Sequence, residues 1–497
     1  MKIAGLDIGT TGCKLTVFDE HGSYLEKAYR TYPVSRAKKE HEVDPAAIWT
    51  GVLQVIKEMA QRYPDISGIG VTSFGETFVM TDEEGTPLRH SMLYTDPRGT
   101  EECSELEKRL GGDLIGKISG LKPHPMYSIS KIMWVKKHDP LQYARAKHLF
   151  LIQDYIVFLL TGVCQIDYSL ASRTMAFDIR KLDWSPEILD AVGIDSSLLS
   201  RPVPTGTSAG TVRPEISRET GLAESTIIVS ISHDQVAAAI GSGVLEPGKA
   251  VDGAGTVECI TPVFDGIPEN PVLFEGSYSV VPYIIPGKYV CYAFSYTGGA
   301  LVQWCVDTLA KEEKKLAVQA GVSVNQMLEQ QTADEPTGLL VLPHFAGAAT
   351  PYMDIGSRGA ILGLTLAHTV SDIYRACMEG VAFEMKVNLE RLEQAGIRFS
   401  SLQATGGGAN SQVWMQMKAD ILGMPITALK ASDAGTVGSA MLTGIAVGIF
   451  RDLNHATEEM VKEKQTYFPR KQQQEQYEAV YQRYRKVYNA VRPLFDE

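Results

Sequence analysis

The residues with the clearest chemical capacity sit at glycine-rich turns and at strand ends. The first group is Gly5-Leu6-Asp7-Ile8-Gly9-Thr10-Thr11-Gly12-Cys13-Lys14, where a strand over 3–8 enters a turn and returns over 15–18. Glycines there permit dihedrals and ligand approach that a side chain obstructs. The amides and hydroxyls of Thr10 and Thr11 can cradle an anion. Asp7 at the rim is a hard-oxygen donor suited to Mg2+, directly or through water; an ordinary hairpin is the bland alternative. The second group is Ser232-His233-Asp234-Gln235, delivered by a β-branched run over 227–231. Asp234 can take the proton of an attacking alcohol held within about 3 Å, and it can equally cap the small-residue helix that follows. His233 reads as a packed or hydrogen-bonded orienter beside it, with a role as ligand or base the alternative.

Similar grammar recurs in the second half. Asp252-Gly253-Ala254-Gly255-Thr256 precedes an apolar strand from Val257, so an anion-facing hairpin opens each half of the chain. Thr297-Gly298-Gly299-Ala300 leads into a helical pattern, and its glycines either admit phosphate at a helix N-terminus or only make a tight turn. In Thr405-Gly406-Gly407-Gly408-Ala409-Asn410, three adjacent glycines let a flat ligand approach the backbone. Two polar rims complete the set. Ser73-Phe74-Gly75-Glu76 ends a strand over 66–72, where an acid can face a ligand or be a solvated turn residue. In Asp96-Pro97-Arg98 the acid can accept hydrogen bonds from a polyhydroxylated ligand, while Arg98 can fix the acid or hold an anion.

The elements that must position these residues are legible in outline. Asp44-Pro45 is a helix start with an acceptor at the cap and proline at the first helical position, followed by Ile48, Val52, Val55, Ile56 and Met59 at helical spacing. Residues 101–160 read as mostly helical and 162–173 as a loop. Helices follow from Ser185-Pro186 and over 215–220. Residues 368–391 hold a long amphipathic helix, 437–449 an apolar structural one, and 466–484 a charged, solvated covering helix. Residues 243–250 nearly match a P-loop, but they follow a helix, contain Pro247 and lack the terminal Ser or Thr.

Composition narrows the function classes. The chain has 497 residues, 44% hydrophobic and 21% charged, enough for two domains with sizeable cores. A net charge of -12 disfavours nonspecific nucleic-acid binding. Seven cysteines without metal-ligand spacing suggest buried small hydrophobes in a reducing compartment. The apolar run over 441–450 is too short to span a bilayer, and with no basic-then-apolar leader at the start a cytoplasmic location is the expectation.

Taken together, Asp7-Ile8-Gly9-Thr10-Thr11, Ser232-His233-Asp234-Gln235, Gly255-Thr256, Thr297-Gly298-Gly299 and ATGGGANSQVWMQMKADILG over 404–423 resemble the FGGY carbohydrate kinases of the actin-like ATPase superfamily. The resemblance covers essentially the whole chain, and the stretch 484–495 looks like a xylulose-kinase terminus. It implies an α/β fold of two ribonuclease-H-like domains, 1–245 and 246–497, flanking a catalytic cleft. The first would bind the sugar or polyol and the second ATP. Asp234 is then the general base, Asp7 the Mg2+-side acid, and Thr10, Thr11 and Lys14 belong to the phosphate-facing set. Gly255, Thr256, Gly298 and Gly299 would meet nucleotide phosphates, with Gly407, Gly408 and Asn410 bordering adenosine. Phe74, Glu76, Asp96, His233 and Asp234 would face the sugar, Phe74 by stacking or as pocket floor. A homodimer is a family-based expectation. The rim departs from the pattern: xylulose kinases place Gly-Gln-Met-His and glycerol kinases Asn-Gln-Arg-Glu where this chain has Ser73-Phe74-Gly75-Glu76. The expected activity is therefore ATP-dependent phosphorylation of a primary hydroxyl on a small, xylulose-like ketose or polyol. Gluconate- or glycerol-kinase-like activity, or a noncatalytic sensor, are the alternatives.

Overall fold

The computed structural model describes residues 1–37, 40–431 and 433–496. They form two compact units of discontinuous chain. One comprises Met1–Leu245, Ser279–Val290 and Asp433–Lys462; the other comprises Glu246–Tyr278, Cys291–Ser432 and Glu463–Glu497.

The first unit is built on β1 (Lys2–Ile8), β2 (Gly12–Asp19), β3 (Tyr24–Thr31), β4 (Ile66–Ser73), β5 (Thr207–Thr211) and β6 (Ile227–His233). Their spatial order is β3-β2-β1-β4-β6-β5. The two parallel pairings, β1 with β4 and β4 with β6, lie at the centre. The period of two in β1 divides its residues between two faces. Ala4, Leu6 and Ile8 join the core with Ile48, Val52, Val55 and Ile56 of α1 (Pro45–Arg62). Gly5 and Asp7 face the other way, where a Cβ on Gly5 would come 2.4 Å from the carbonyl of Thr436. The helix Ala434–Ala446 lies on that face and begins at Ala434, with Asp433 as its cap, three residues before the stretch expected from the apolar pattern. It crosses α2 (Asp234–Gly241) at paired glycines: a Cβ on Gly241 would stand 1.9 Å from the Ala434 carbonyl, and one on Gly438 2.0 Å from that of Ala237. Backbone-to-backbone contact of this kind requires glycine at both positions.

α1 forms as expected, with Asp44 accepting from the Ala46 amide at 2.9 Å and Pro45 in the first turn. Residues 101–160 are mostly helical as expected, with His148–Leu151 a strand paired antiparallel with Phe78–Thr81. One local expectation is corrected. Residues 162–173 are not simply a loop: Gln165–Asp167 is a strand, and Asp167 caps the helix Tyr168–Ser172 by accepting from Ser169 and Leu170 amides. Elements of three to five residues are too short for periodicity to register.

The second unit repeats the scheme with β7 (Gly248–Ala254), β8 (Glu258–Asp265), β9 (Ala293–Ser295), β10 (Phe399–Thr405), β11 (Ile426–Leu429) and β12 (Glu463–Tyr467). Within the unit, β9 pairs with β8, β8 with β7, β7 with β10, β10 with β11 and β11 with β12. Across six strands each unit thus runs antiparallel, antiparallel, parallel, parallel, antiparallel, which is the structural form of the internal echo. Helices α3 (Gly299–Thr308), α4 (Val370–Gln394), α5 (Gln412–Leu422) and α6 (Lys471–Tyr484) surround this second sheet's core. The tail departs from the expected solvated helix: Thr466 belongs to β12, and α6 buries Tyr477, Tyr481 and Tyr484 at helical spacing. Six of the seven cysteines are buried and Cys164 is half-buried. Among the described residues no helix is long and apolar enough to cross a membrane.

Candidate active site

The glycine crossing in the first unit brings the starts of two helices to the end of β1. Asp234 is the first residue of α2, one place inside the helix rather than its cap, and Asp433 caps the helix Ala434–Ala446. Lys14, the cross-strand partner of Asp7, places Nζ 3.0 Å from Asp7 and 3.0 Å from Asp433. Burial pushes the Asp7 carboxyl up to about 6; Lys14 opposes that shift, while Asp433 and Asp234 add to it. Burial alone would lower the Lys14 ammonium, but the two carboxylates outweigh it and hold it charged. The Asp234 carboxyl is likewise raised to about 6 by burial, against hydrogen bonds from Gln235 and the charges of Arg173 and Lys14.

Asp234 Oδ1 lies 3.4 Å from His233 Nε2, and the side chain is 33% exposed. Burial, aided by Arg173, pushes His233 down to about 3, so its imidazole is neutral. The His233 amide donates to Ser169 Oγ at 2.9 Å, which locks the strand end to the short helix behind it. At the hairpin tip the Gly9 amide donates to the Gly12 carbonyl at 2.9 Å. Thr11 is exposed, while half-buried Thr10 is hydrogen-bonded to Tyr94.

Glu76 is buried at the neighbouring strand end and holds φ at +66°, a left-handed conformation uncommon outside glycine. Arg173 Nε donates to its Oε1 at 2.6 Å, and the Arg173 guanidinium lies 5.2 Å from the Tyr127 ring. A Cβ on Gly75 would meet Arg173 Cγ and His233 Cδ2, each at 3.0 Å, so the glycine makes room for the arginine. Two rim expectations need correction. Phe74, 5% exposed, packs into the core with Ile8 and Val71. Asp96 has a side chain with no exposure and accepts from the His41 amide and from three Arg98 nitrogens, so its oxygens are committed inside the protein. Arg173, Tyr94 and Asp433 were missed in the sequence; an Asp before Ala-Gly-Thr was the available signal for the last, as a helix cap.

In the second unit the hairpin between β7 and β8 exposes Thr256, with Gly255 half-buried. The first amides of α3 do not face outward. Those of Gly298, Gly299 and Ala300 donate to the carbonyls of Thr256, Gly255 and Thr256 at 2.9, 2.8 and 3.1 Å. Gly298 and Gly299 therefore brace the hairpin, and the expectation that their amides take phosphate is corrected. In the glycine run, Gly406 and Gly408 pack on Ala254, whereas Gly407 is exposed and has open space where a Cβ would stand. Asn410, exposed, ends the turn Gly408–Asn410. The acid of the echoing motif is used differently from its counterpart: Asp252 points into the core, towards Lys418 on α5.

The profile of the FGGY family of carbohydrate kinases matches residues 2–241 with its N-terminal domain and 266–447 with its C-terminal domain. The chain belongs to the FGGY family of carbohydrate kinases. A xylulose kinase of Bacillus subtilis (strain 168) is 26% identical, over 99% of this chain and 97% of that one. A glycerol kinase of Lactococcus lactis subsp. lactis (strain IL1403) is 30% identical, over 99% and 98%. The crystal structure of a gluconate kinase from Lactobacillus acidophilus superposes with a TM-score of 0.89 at 24% identity, covering 99% of this chain and 98% of that one. The FGGY kinase is thus an ATP-dependent phosphotransferase with an alcohol group as acceptor, carrying the two-domain, mixed α/β fold of the actin-like ATPases. Among the described residues no group of three or more His, Cys, Asp or Glu side chains is arranged to hold a metal ion.

Proposed function

We propose that this FGGY kinase transfers the γ-phosphoryl group of ATP to a primary hydroxyl of a small ketose or polyol, with a xylulose-like ketose as the preferred acceptor. The observation that carries the reading is Asp234: a partly exposed carboxylate at a helix start, beside a neutral imidazole and near the ion pair of Glu76 and Arg173. Asp234 accepts the proton of the attacking hydroxyl, His233 orients it, and Glu76 with Arg173 holds acceptor hydroxyls. Thr10, Thr11 and Lys14 serve the transferred phosphate. In the second unit Gly255 and Thr256 meet nucleotide phosphates, and Gly407, Gly408 and Asn410 border adenosine.

Mg2+ suits the donors present. It prefers one or two carboxylates plus substrate phosphates to a full protein cage, and Asp7 offers such a carboxylate, 14% exposed, next to Asp433. Held there through Asp7, it would neutralise charge developing on the phosphates; Lys14 contributes a fixed positive charge of the same sense.

A glycerol-like acceptor is the second reading, favoured by the Glu76–Arg173 pair and by the glycerol kinase relative at 30% identity. An ATP-coupled assay across pentuloses, hexuloses, pentitols, glycerol and aldonates separates the two. A pentulose with the highest kcat/KM supports the first reading. Glycerol in that place supports the second, and an aldonate would replace both.

A further inference from the structure

Beneath the hairpin of the second unit lies a buried group of charges with no part in the chemistry above. Lys418 Nζ is 2.8 Å from Asp252 Oδ2 and also donates to Glu258 Oε1, and none of the three side chains is more than 1% exposed. Burial and the neighbouring Asp252 raise the Glu258 carboxyl well above its ordinary range, against the opposing charge of Lys418. A buried ion pair is weak evidence of stabilisation, because apolar residues of similar volume commonly do as well. Such a group can fix register, and these three residues connect the turns assigned to the nucleotide. Asp252 lies on β7 and Glu258 opens β8, one on each side of Gly255 and Thr256. A Cβ on Gly298 would stand 3.0 Å from Glu258 Oε2, so the turn before α3 rests on the same side chain. The Lys418 ammonium lies 4.9 Å from the centre of the Trp414 ring, and a Cβ on Gly408 would meet that ring at 2.9 Å. Hairpin, α3 start and glycine run therefore all bear on one ammonium group.

We infer that Lys418 is a positioning residue for ATP, clamping the phosphate hairpin and the adenosine turn in register through Asp252, Glu258 and Trp414. The inference rests on the reading that the second unit holds the nucleotide. Its consequence is selective: loss of the clamp weakens ATP and leaves sugar binding alone, since none of these residues belongs to the first unit.

Lys418→Met alone would strand a buried carboxylate and endanger folding. The informative protein is the triple variant Asp252→Asn/Glu258→Gln/Lys418→Met, which removes the charges at nearly constant shape. Its cooperative unfolding is checked first, then KM for ATP and for the sugar, and calorimetric affinity for a nonhydrolysable ATP analogue with Mg2+. The expected result is a rise of about tenfold or more in KM for ATP, with KM for the sugar within about twofold. Glu258→Gln alone, which keeps the Lys418–Asp252 pair, recovers most of the lost affinity. A folded triple variant with wild-type ATP affinity, or equal losses for ATP and sugar, would overturn the clamp. Thr256→Val separates this outcome from failure of the underlying reading. If Thr256→Val weakens ATP and the triple variant does not, the clamp alone falls. If Thr256→Val leaves ATP affinity unchanged, the nucleotide does not use this hairpin, and the clamp falls with that reading.

Discussion

Asp234 and Arg173 show how differently two charges of one unit are used. Asp234 keeps part of its carboxylate open, with a raised pKa of about 6 that still leaves it ionised near neutrality. Asp234→Asn keeps size and removes the basic oxygen. With thermal unfolding close to wild type, kcat at saturating ATP and sugar should fall by about 10²-fold or more; near-wild-type turnover would remove Asp234 from the role of base. Arg173, by contrast, is closed in, with side-chain exposures of 5% for it and 6% for Glu76. Removing one partner of such a pair leaves the other charge uncompensated, at a cost of about 3–5 kcal/mol. Arg173→Met should show that loss in denaturant unfolding, and Arg173→Met/Glu76→Gln should recover much of it while sugar KM stays elevated. Recovery of both would make the pair a scaffold only.

At the scale of elements, the site depends on a helix crossing. The starts of α2 and of the helix Ala434–Ala446 carry Asp234 and Asp433 because Gly241 and Gly438 let the two backbones touch. Gly438→Ala would place a methyl group 2.0 Å from the Ala237 carbonyl, so the helices must separate. Overpacking of this kind costs about 1–3 kcal/mol, and a displaced Asp234 should lower kcat more than it raises sugar KM. Gly448→Ala is a control without steric conflict, having nothing near the added Cβ, although its φ of +80° carries some backbone strain. If Gly438→Ala loses no more stability than this control and keeps wild-type kcat, the crossing does not set the position of the base.

At the scale of the molecule, the first unit is not a continuous stretch. It includes Asp433–Lys462, and with it the helix that covers Gly5, Gly68 and Gly70 on the sheet. A fragment of residues 1–245 lacks that cover. It should express as an aggregating or loosely packed protein, with far-ultraviolet circular dichroism retained and near-ultraviolet signal weak. Joining residues 433–462 to it through a flexible linker should restore cooperative unfolding. A fragment 1–245 that unfolds cooperatively by itself would show that the helix is dispensable to the unit.

The sequence by itself determined the local units and the family. The hairpin at Gly9–Gly12, the Asp44-Pro45 helix start, the strand ending at His233 and the small-residue helix that follows it all follow from turn chemistry, capping and β-branched runs acting within about ten residues. The repeat of Asp-Gly-Ala-Gly-Thr likewise announced a second hairpin, and five strand pairings in matching order in each unit bear that echo out. Tertiary structure alone decided which polar residues face inward. Asp96 turns into Arg98 and His41, Phe74 joins the core, Asp252 meets Lys418, and the amides of Gly298 and Gly299 are taken by the hairpin. Arg173 reaches Glu76 across 97 residues, and Asp433 reaches Lys14 across more than 400. Such pairings are set by how sheets and helices close on one another. A carboxylate's neighbours in space, rather than its neighbours in sequence, fix its charge and the partner it serves.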